Sequence, residues 1–256
     1  MTFQPDMPGA IVVAAHFNNV RPGVNHPKVL VLHTPEEAAD ATEVTPHYFA
    51  KDLLQENPPR RASTHYYASG GEGTLGDGDL YQMVPEHKGA IANGVLRKPY
   101  PADTDPGTSL NLQSLSIEIE GYASHMHKSM PRGSQQWRTV IAWIVSRAEA
   151  HGIPIDRDHV IGHREVSAER SDPGTLDLDL IVADAQALAA HEEEDEMLWL
   201  VKEKGSSATF ITNGVVRAYV ADRAKLQELQ DAGIWPGKVT VVPKGSLSVM
   251  PRVDTL

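Results

Sequence analysis

Lys28-Val29-Leu30-Val31-Leu32-His33 is a continuous apolar run closed by a histidine. Valine and leucine without polar alternation suit a strand covered on both faces, as at the centre of a sheet with helices packed on it. Beyond it, Thr45-Pro46 is an N-cap and first-turn pair. It predicts a helix that turns Phe49, Leu53 and Leu54 inward and ends near Asn57. Residues 63–69 and 80–84 read as two strands joined by the glycine-rich stretch 70–78. Leu115 to Ile119 alternates apolar and polar positions, as a further strand does. Trp137, Val140, Ile141, Ile144, Val145 and Ala148 recur at helical spacing and stop at Gly152, predicting a long amphipathic helix. Strands and helices mix without βαβ regularity. The expected class is therefore α/β (α+β), a mixed central sheet flanked by helices.

A chain of 256 residues holds one catalytic domain of ordinary size and something smaller. The four adjacent carboxylates of Glu192-Glu193-Glu194-Asp195 repel one another and are best solvated, which places a linker there; a solvated helix end is the competing reading. The expected domains are 1–191 and 196–256. In the second, residues 197–202, 208–212 and 215–220 read as strands, the last two joined by the hairpin signal Asn213-Gly214. Asp222 caps a helix bearing Leu226 and Leu229 and closed by Gly233, and Val239 to Val242 is one more strand. A small β-rich C-terminal module follows from this.

Composition excludes several functions. With no cysteine there are no disulfides, thiolate metal sites or thiol nucleophiles, so any metal site uses nitrogen and oxygen. A net charge of −11 repels phosphate backbones and argues against nucleic acid as a partner. From residue 196 onward eight Lys/Arg face six Asp/Glu, leaving 15 against 28 before it, so the two portions suit different surfaces. No apolar run reaches the length of a membrane span, and residues 1–20 lack the basic and apolar regions of a signal peptide. The expectation is a protein made in the cytoplasm, without membrane insertion.

With 12 histidines in the chain, only placement promotes one. His33 closes the apolar strand, where a side chain emerges from a rigid scaffold. His163 closes a second short apolar segment in Val160-Ile161-Gly162-His163-Arg164, and Asp172 follows in Ser171-Asp172-Pro173-Gly174. Two imidazoles and one carboxylate with a fourth position open is the arrangement preferred by catalytic zinc. His125 and His127 stand in a Gly/Ser/Met-rich loop and read as solvated. Trp137 lies on the helix stripe and reads as core. Trp199 and Trp235, in the small module, read as core first and as sugar-stacking faces second.

Val31-Leu32-His33-Thr34, Leu115-Ser116-Ile117-Glu118-Ile119-Glu120-Gly121, Gly162-His163-Arg164 and Ser171-Asp172-Pro173-Gly174 together resemble the successive signatures of the type 2 N-acetylmuramoyl-L-alanine amidases. That family includes the peptidoglycan recognition proteins. The likeness runs in order from about residue 25 to 190, and residues 63–84 are similar to the family's strand pair. The resemblance implies Zn²⁺ held by His33, His163 and Asp172, with Glu118 activating the attacking water and Glu120 as the competing carboxylate. It also implies a catalytic role for Arg170, which stands where enzymatic members carry a lysine that supports the oxyanion. Asn93 stands in the stretch 90–94, where the family commonly has a histidine, and is a substrate-binding candidate or a turn residue. His65 either lines the cleft as a second substrate contact or packs beneath it. Thr64 occupies a position that is tyrosine in some phage members.

The function implied is cleavage of bacterial peptidoglycan between N-acetylmuramic acid and L-alanine. A phage endolysin fits best, with a C-terminal module that is a candidate for wall binding or for self-association. A cytoplasmic amidase recycling muropeptides is the second reading. A non-catalytic peptidoglycan-binding or sensing protein is the third, supported by Arg170 but opposed by the complete ligand set.

Overall fold

Every residue from Val29 to His33 is buried, as an apolar run without alternation requires. The computed structural model describes residues 3–16, 19–35, 62–71, 75–94, 96, 100–195, 199–203, 209–212, 217–220, 239–242 and 252–253, with the backbone alone from residue 191 onward. The expected helix after Thr45, the Asn213-Gly214 turn, the helix after Asp222 and Trp235 lie outside these residues.

In chain order the strands of the first part are β1 (Ile11–Val12), β2 (Val20–Arg21), β3 (Val29–His33), β4 (Tyr66–Gly70), β5 (Asp77–Gln82), β6 (Gly89–Ala90), β7 (Ser114–Ile119) and β8 (Val160–Gly162). Six of them form one sheet in the order β1-β5-β4-β7-β3-β8. It is mixed: β3 runs parallel to β7 and β8, β4 parallel to β7, and only β4 and β5 pair antiparallel among its neighbours. The expected strand pair is therefore present, with β2 and β6 forming a small ribbon beside it. The register matters most at the carboxyl ends. His33 lies opposite Glu118, and Leu32 opposite Gly162, the residue before His163.

The helices are α1 (Met126–Ser129), α2 (Gln135–His151), α3 (His163–Val166) and α4 (Leu178–Asp195). The long helix starts where Ser134 accepts a hydrogen bond from the Trp137 amide, and it ends on Gly152 in the left-handed conformation at φ 63°. It packs on β4 and β5, its buried stripe meeting the sheet through an edge-to-face contact of Trp143 with Tyr66. Trp137 is buried and its indole N–H donates to Asp184 of α4 at 3.0 Å, so it is core, as its position on the stripe predicted. Helix α4 continues to Asp195. The acidic run thus forms its last turn, the competing reading of those residues.

One buried charge cluster was not expected. The apolar stripe of α2 also buries Arg147, because its guanidinium meets Glu86 at 2.8 Å. Glu86 further accepts from the Tyr66 hydroxyl and lies 2.7 Å from Nε2 of His151. Burial alone would raise the Glu86 carboxyl, but hydrogen bonds from His151, Tyr66 and Arg147 outweigh it and hold its pKa down to about 2. The cluster pins the helix end to the sheet and to the N-terminal segment, where Asp6 accepts from the Glu86 amide.

The chain divides into two compact units, Met1–Leu188 and Ala189–Leu256. The second holds β9 (Trp199–Glu203), β10 (Thr209–Thr212), β11 (Arg217–Val220), β12 (Val239–Val242) and β13 (Arg252–Val253). They form a sheet in the order β12-β9-β10-β11-β13, with β10 and β11 antiparallel across the expected hairpin. Among the described residues no helix is long and apolar enough to cross a membrane.

The Glu86 cluster makes a pH-dependent prediction. Its folded pKa lies below the ordinary 4.5, so its stabilisation is complete above that value and lost as pH falls through about 2. Urea denaturation followed by circular dichroism should show the wild type weakening through this window. Glu86→Ala, which leaves Arg147 buried without its carboxylate, should be weaker by about 3–5 kcal/mol at neutral pH and respond less to acid.

Candidate metal centre and active site

Parallel strands that end together deliver their last side chains to one edge of the sheet, where open α/β sheets commonly bind ligands. His33 is the last residue of β3, Glu118 sits beside it in β7, and His163 opens α3 directly after β8. The loop after α3 returns Asp172 to the same place. Its carboxylate Oδ2 lies 3.3 Å from Nδ1 of His33 and 3.1 Å from Nδ1 of His163. The two imidazole rings are 4.4 Å apart at their centroids, tilted by 57°. All three side chains are buried, and their ligand atoms lie within 4.8 Å of one another.

The local chain explains this placement. The Arg164 amide donates to the Asp172 carbonyl at 2.8 Å, and its guanidinium donates to the Gly174 carbonyl at 2.5 Å. Both bonds close the loop between the two candidate ligands. Gly162 lets the start of α3 sit on Pro173, since a Cβ there would be 2.7 Å from Pro173 Cδ. Gly174 has φ +57° and stands so near the Ala123 carbonyl that a Cβ would come within 1.9 Å of its oxygen.

The donor set fits a small divalent cation. Nε2 of His163 faces the Asn93 carbonyl at 3.3 Å, and a carbonyl only accepts, so that nitrogen carries the ring proton. Nδ1 faces the Asp172 carboxylate at 3.1 Å, so a cation held there would be shared by the ring and the carboxylate. Burial pulls the pKa of His33 below its ordinary value against the opposing pull of Asp172. Burial would raise the Asp172 carboxyl, yet hydrogen bonding and charge from His163 and His33 outweigh it and hold it well below the usual range. A neutral imidazole and an ionised carboxylate are the forms that ligate metal. The 3.1 and 3.3 Å separations also match the edge of a tetrahedron with bonds of about 2.0 Å, as for zinc with nitrogen and oxygen ligands.

The other expected site residues separate. Glu118 is buried beside His33. Glu120 is engaged elsewhere, accepting from the Ser69 hydroxyl at 2.9 Å and the Gly70 amide at 2.5 Å; it anchors the end of β4. Arg170 is exposed on the loop that carries Asp172. His65 is not brought to the cluster as a substrate contact. It is fully buried, its Nδ1 accepts from the Ser116 amide at 3.1 Å, and its Nε2 meets the Lys88 carbonyl at 2.9 Å. Burial lowers its pKa to about 4, so within the packed interior it is a neutral link between Ser116 and the Lys88 carbonyl. Asn93 is buried too, 1% exposed, and its carbonyl faces His163. Sequence reasoning missed the parts of Arg164 and of this carbonyl. Only Arg164 had a signal, its place in the Gly162-His163-Arg164 motif.

Residues 23–175 match the family model described as N-acetylmuramoyl-L-alanine amidase. That stretch is more than half of the chain and contains the whole cluster. The chain belongs to the N-acetylmuramoyl-L-alanine amidase family. Its class of activity is accordingly that of a peptidoglycan amidase. Among solved structures, it is similar to a selenomethionine derivative of AmpD, with 20% identity over 71% of this chain and 95% of that one and a TM-score of 0.49. It is also similar to the N-acetylmuramoyl-L-alanine amidase LysC from Clostridium intestinale (16% identity, 70% and 99% covered, TM-score 0.47). A mutant endolysin from Bacillus subtilis is a third likeness (20% identity, 70% and 99% covered, TM-score 0.45). No curated protein matches the chain.

Gly174→Ala tests the closeness of the loop. Placing Ala at φ +57° costs about 1–2 kcal/mol before any clash, and the Ala123 carbonyl must also move. The variant should melt lower than wild type by thermal denaturation and retain less divalent metal after gel filtration, by elemental analysis.

Proposed function

We propose that this chain is a zinc-dependent N-acetylmuramoyl-L-alanine amidase of the endolysin type. The observation that carries the reading is the convergence of His33 Nδ1, His163 Nδ1 and Asp172 Oδ2 at the carboxyl edge of the sheet, with Glu118 alongside. These three side chains would hold the metal. When bound, zinc polarises the scissile carbonyl and makes water a better nucleophile at neutral pH.

The protein's own groups supply the proton chemistry. Glu118 takes the proton from the attacking water as general base and returns it to the alanine amine as the carbon–nitrogen bond breaks. Its position on β7, in register with His33, supports this role. Arg170 is exposed on the loop that carries Asp172 and brings a positive charge and two donors to the oxyanion. The substrate is the lactyl–alanine amide of bacterial peptidoglycan. The endolysin reading is supported by the C-terminal β-sheet unit, which we assign to wall attachment; an added unit of this kind favours that reading over an enzyme that recycles soluble muropeptides. The complete His/His/Asp set favours turnover over sensing.

Purified protein should carry about one zinc per chain, as a three-ligand catalytic site does. Glu118→Gln should keep that zinc and lose roughly 10²–10⁴-fold of its rate on purified sacculi, whereas His163→Ala should lose both. Mass spectrometry of the digest should find free lactyl groups and new N-terminal alanines. Normal digestion by the Glu118→Gln protein would overturn the mechanism, and release at any other bond would overturn the substrate assignment. Removing residues 196–256 should spare cleavage of a soluble muropeptide and abolish co-sedimentation with sacculi. Undiminished sedimentation would exclude wall attachment by the module.

A further inference from the structure

We propose that His159 is a proton-operated clasp: as an imidazolium it bridges Asp156 and Asp103 and holds the loop 100–109 against the sheet, and as a neutral ring it lets that loop go. The cluster lies at the amino end of β8, whereas the metal centre lies beyond its carboxyl end. The clasp therefore works whether or not a metal is bound.

His159 is buried, its side chain 10% exposed, yet both of its ring nitrogens face carboxylates. Nδ1 lies 2.6 Å from Asp156 Oδ1, and Nε2 lies 3.2 Å from Asp103 Oδ2. A neutral imidazole has a single N–H and would turn a lone pair on one of these oxygens, so only the doubly protonated ring satisfies both. Other charges nearby do not intervene. Arg157 is committed to Glu165 and Asp179. Neither Asp158 nor Lys28, which precedes β3, forms an ion pair with the ring among the described residues. Burial would lower the pKa of His159, but hydrogen bonds and charge from Asp156 and Asp103 outweigh it and raise it above the ordinary 6.5.

The two carboxylates are not equivalent. Asp156 stands three residues from His159 and also accepts from the amides of Asp158 and His159, at 3.0 Å each, so it stays in place. Asp103 is 56 residues away and 72% exposed. At φ 57° it is also the one non-glycine residue with a left-handed backbone among the described residues, a conformation that costs free energy and persists where contacts hold it. The last ring proton therefore stays on Nδ1, facing Asp156, and the contact that opens is the one with Asp103. The loop leads into Leu110, which packs with Val29, Val31 and Ile161 on one face of β3 and β8. Those two strands deliver His33 and His163, so the clasp governs part of their cover. Since the clasped ring binds its proton more tightly than a free one, closure is complete below about pH 6.5 and is lost as pH rises through the clasped value.

The experiment follows full-length ¹⁵N-labelled protein by NMR from about pH 5 to 9, the interval in which histidine titrates. The His159 ring should titrate above 6.5. Amide protection factors in residues 101–105 should fall over the same interval, about tenfold for each tenfold by which the clasped ring binds its proton more tightly, while those of α2 stay constant. Asp103→Asn removes the charge at an exposed position, and asparagine tolerates the same backbone. It should lower the pKa of the ring and leave the loop weakly protected at every pH. His159→Gln should abolish the pH dependence of the loop. A wild-type ring that titrates at or below 6.5 would overturn the proposal, as would loop protection that ignores its titration or an Asp103→Asn ring that titrates as in wild type. The wild-type and Asp103→Asn measurements decide the matter even where His159→Gln does not fold.

Discussion

The parallel register of β3 between β7 and β8 is the constraint from which the rest of the site follows. It sets His33 opposite Glu118 and ends β8 one residue short of His163. Side chains alternate along a strand, so a slip of one residue on β7 would turn Glu118 to the opposite face and bring an apolar neighbour beside His33. The register is in turn held by burial. Val29, Leu30, Val31 and Leu32 are fully buried, and Leu30 lies opposite Leu115 on one side and Val160 on the other. A slipped strand would have to place Ser116 or Glu118 where those apolar contacts are.

Delivering three ligand atoms to one place creates an electrostatic problem that the surroundings are arranged to meet. Two imidazoles and a carboxylate gathered away from water must be compensated, by ring protons given to Asp172 or by a cation among them. The protein tolerates the arrangement because the loop carrying Asp172 is closed by main-chain bonds. The Arg164 amide holds the Asp172 carbonyl, and the Thr175 amide holds Ala123 at 2.8 Å. Main-chain bonds of this kind fix a ligand more tightly than a side chain on a free loop would. They also explain the glycines at 162 and 174, where the backbone approaches Pro173 and Ala123 too closely for any side chain.

The legible part of this chain is what depends on short-range pattern. A two-sided strand shows as an unbroken apolar run, the long helix shows as a stripe closed by glycine, and His33 and His163 stand out because each closes an apolar segment. The illegible part depends on partners far away in sequence. Glu118 and Glu120 share one strand face, and period alone cannot separate them; the pairing of Glu118 with His33, and of Glu120 with Ser69 and Gly70, does. His65 looks like a cleft residue on a strand until Ser116 and Lys88 close around its ring. Arg147 breaks the apolar stripe of its helix because Glu86, 61 residues earlier, is buried against it. Asn93 meets His163 through a carbonyl, which every residue has and no motif can mark.

Burial divides the labour at the site. His33, His163, Asp172 and Glu118 are each less than a tenth exposed, so their positions are set by the packing of the sheet and of the loop after α3. Arg170 is exposed, two residues from Asp172 but outside that packing. An exposed position admits a change from an ammonium to a guanidinium without disturbing a buried ligand set, since neither the volume nor the charge of the interior is altered. The same exchange at a buried position would not be neutral, because the fork of the guanidinium needs more room and more acceptors than an ammonium does. Arg170 therefore lies outside the packing that gathers His33, His163 and Asp172.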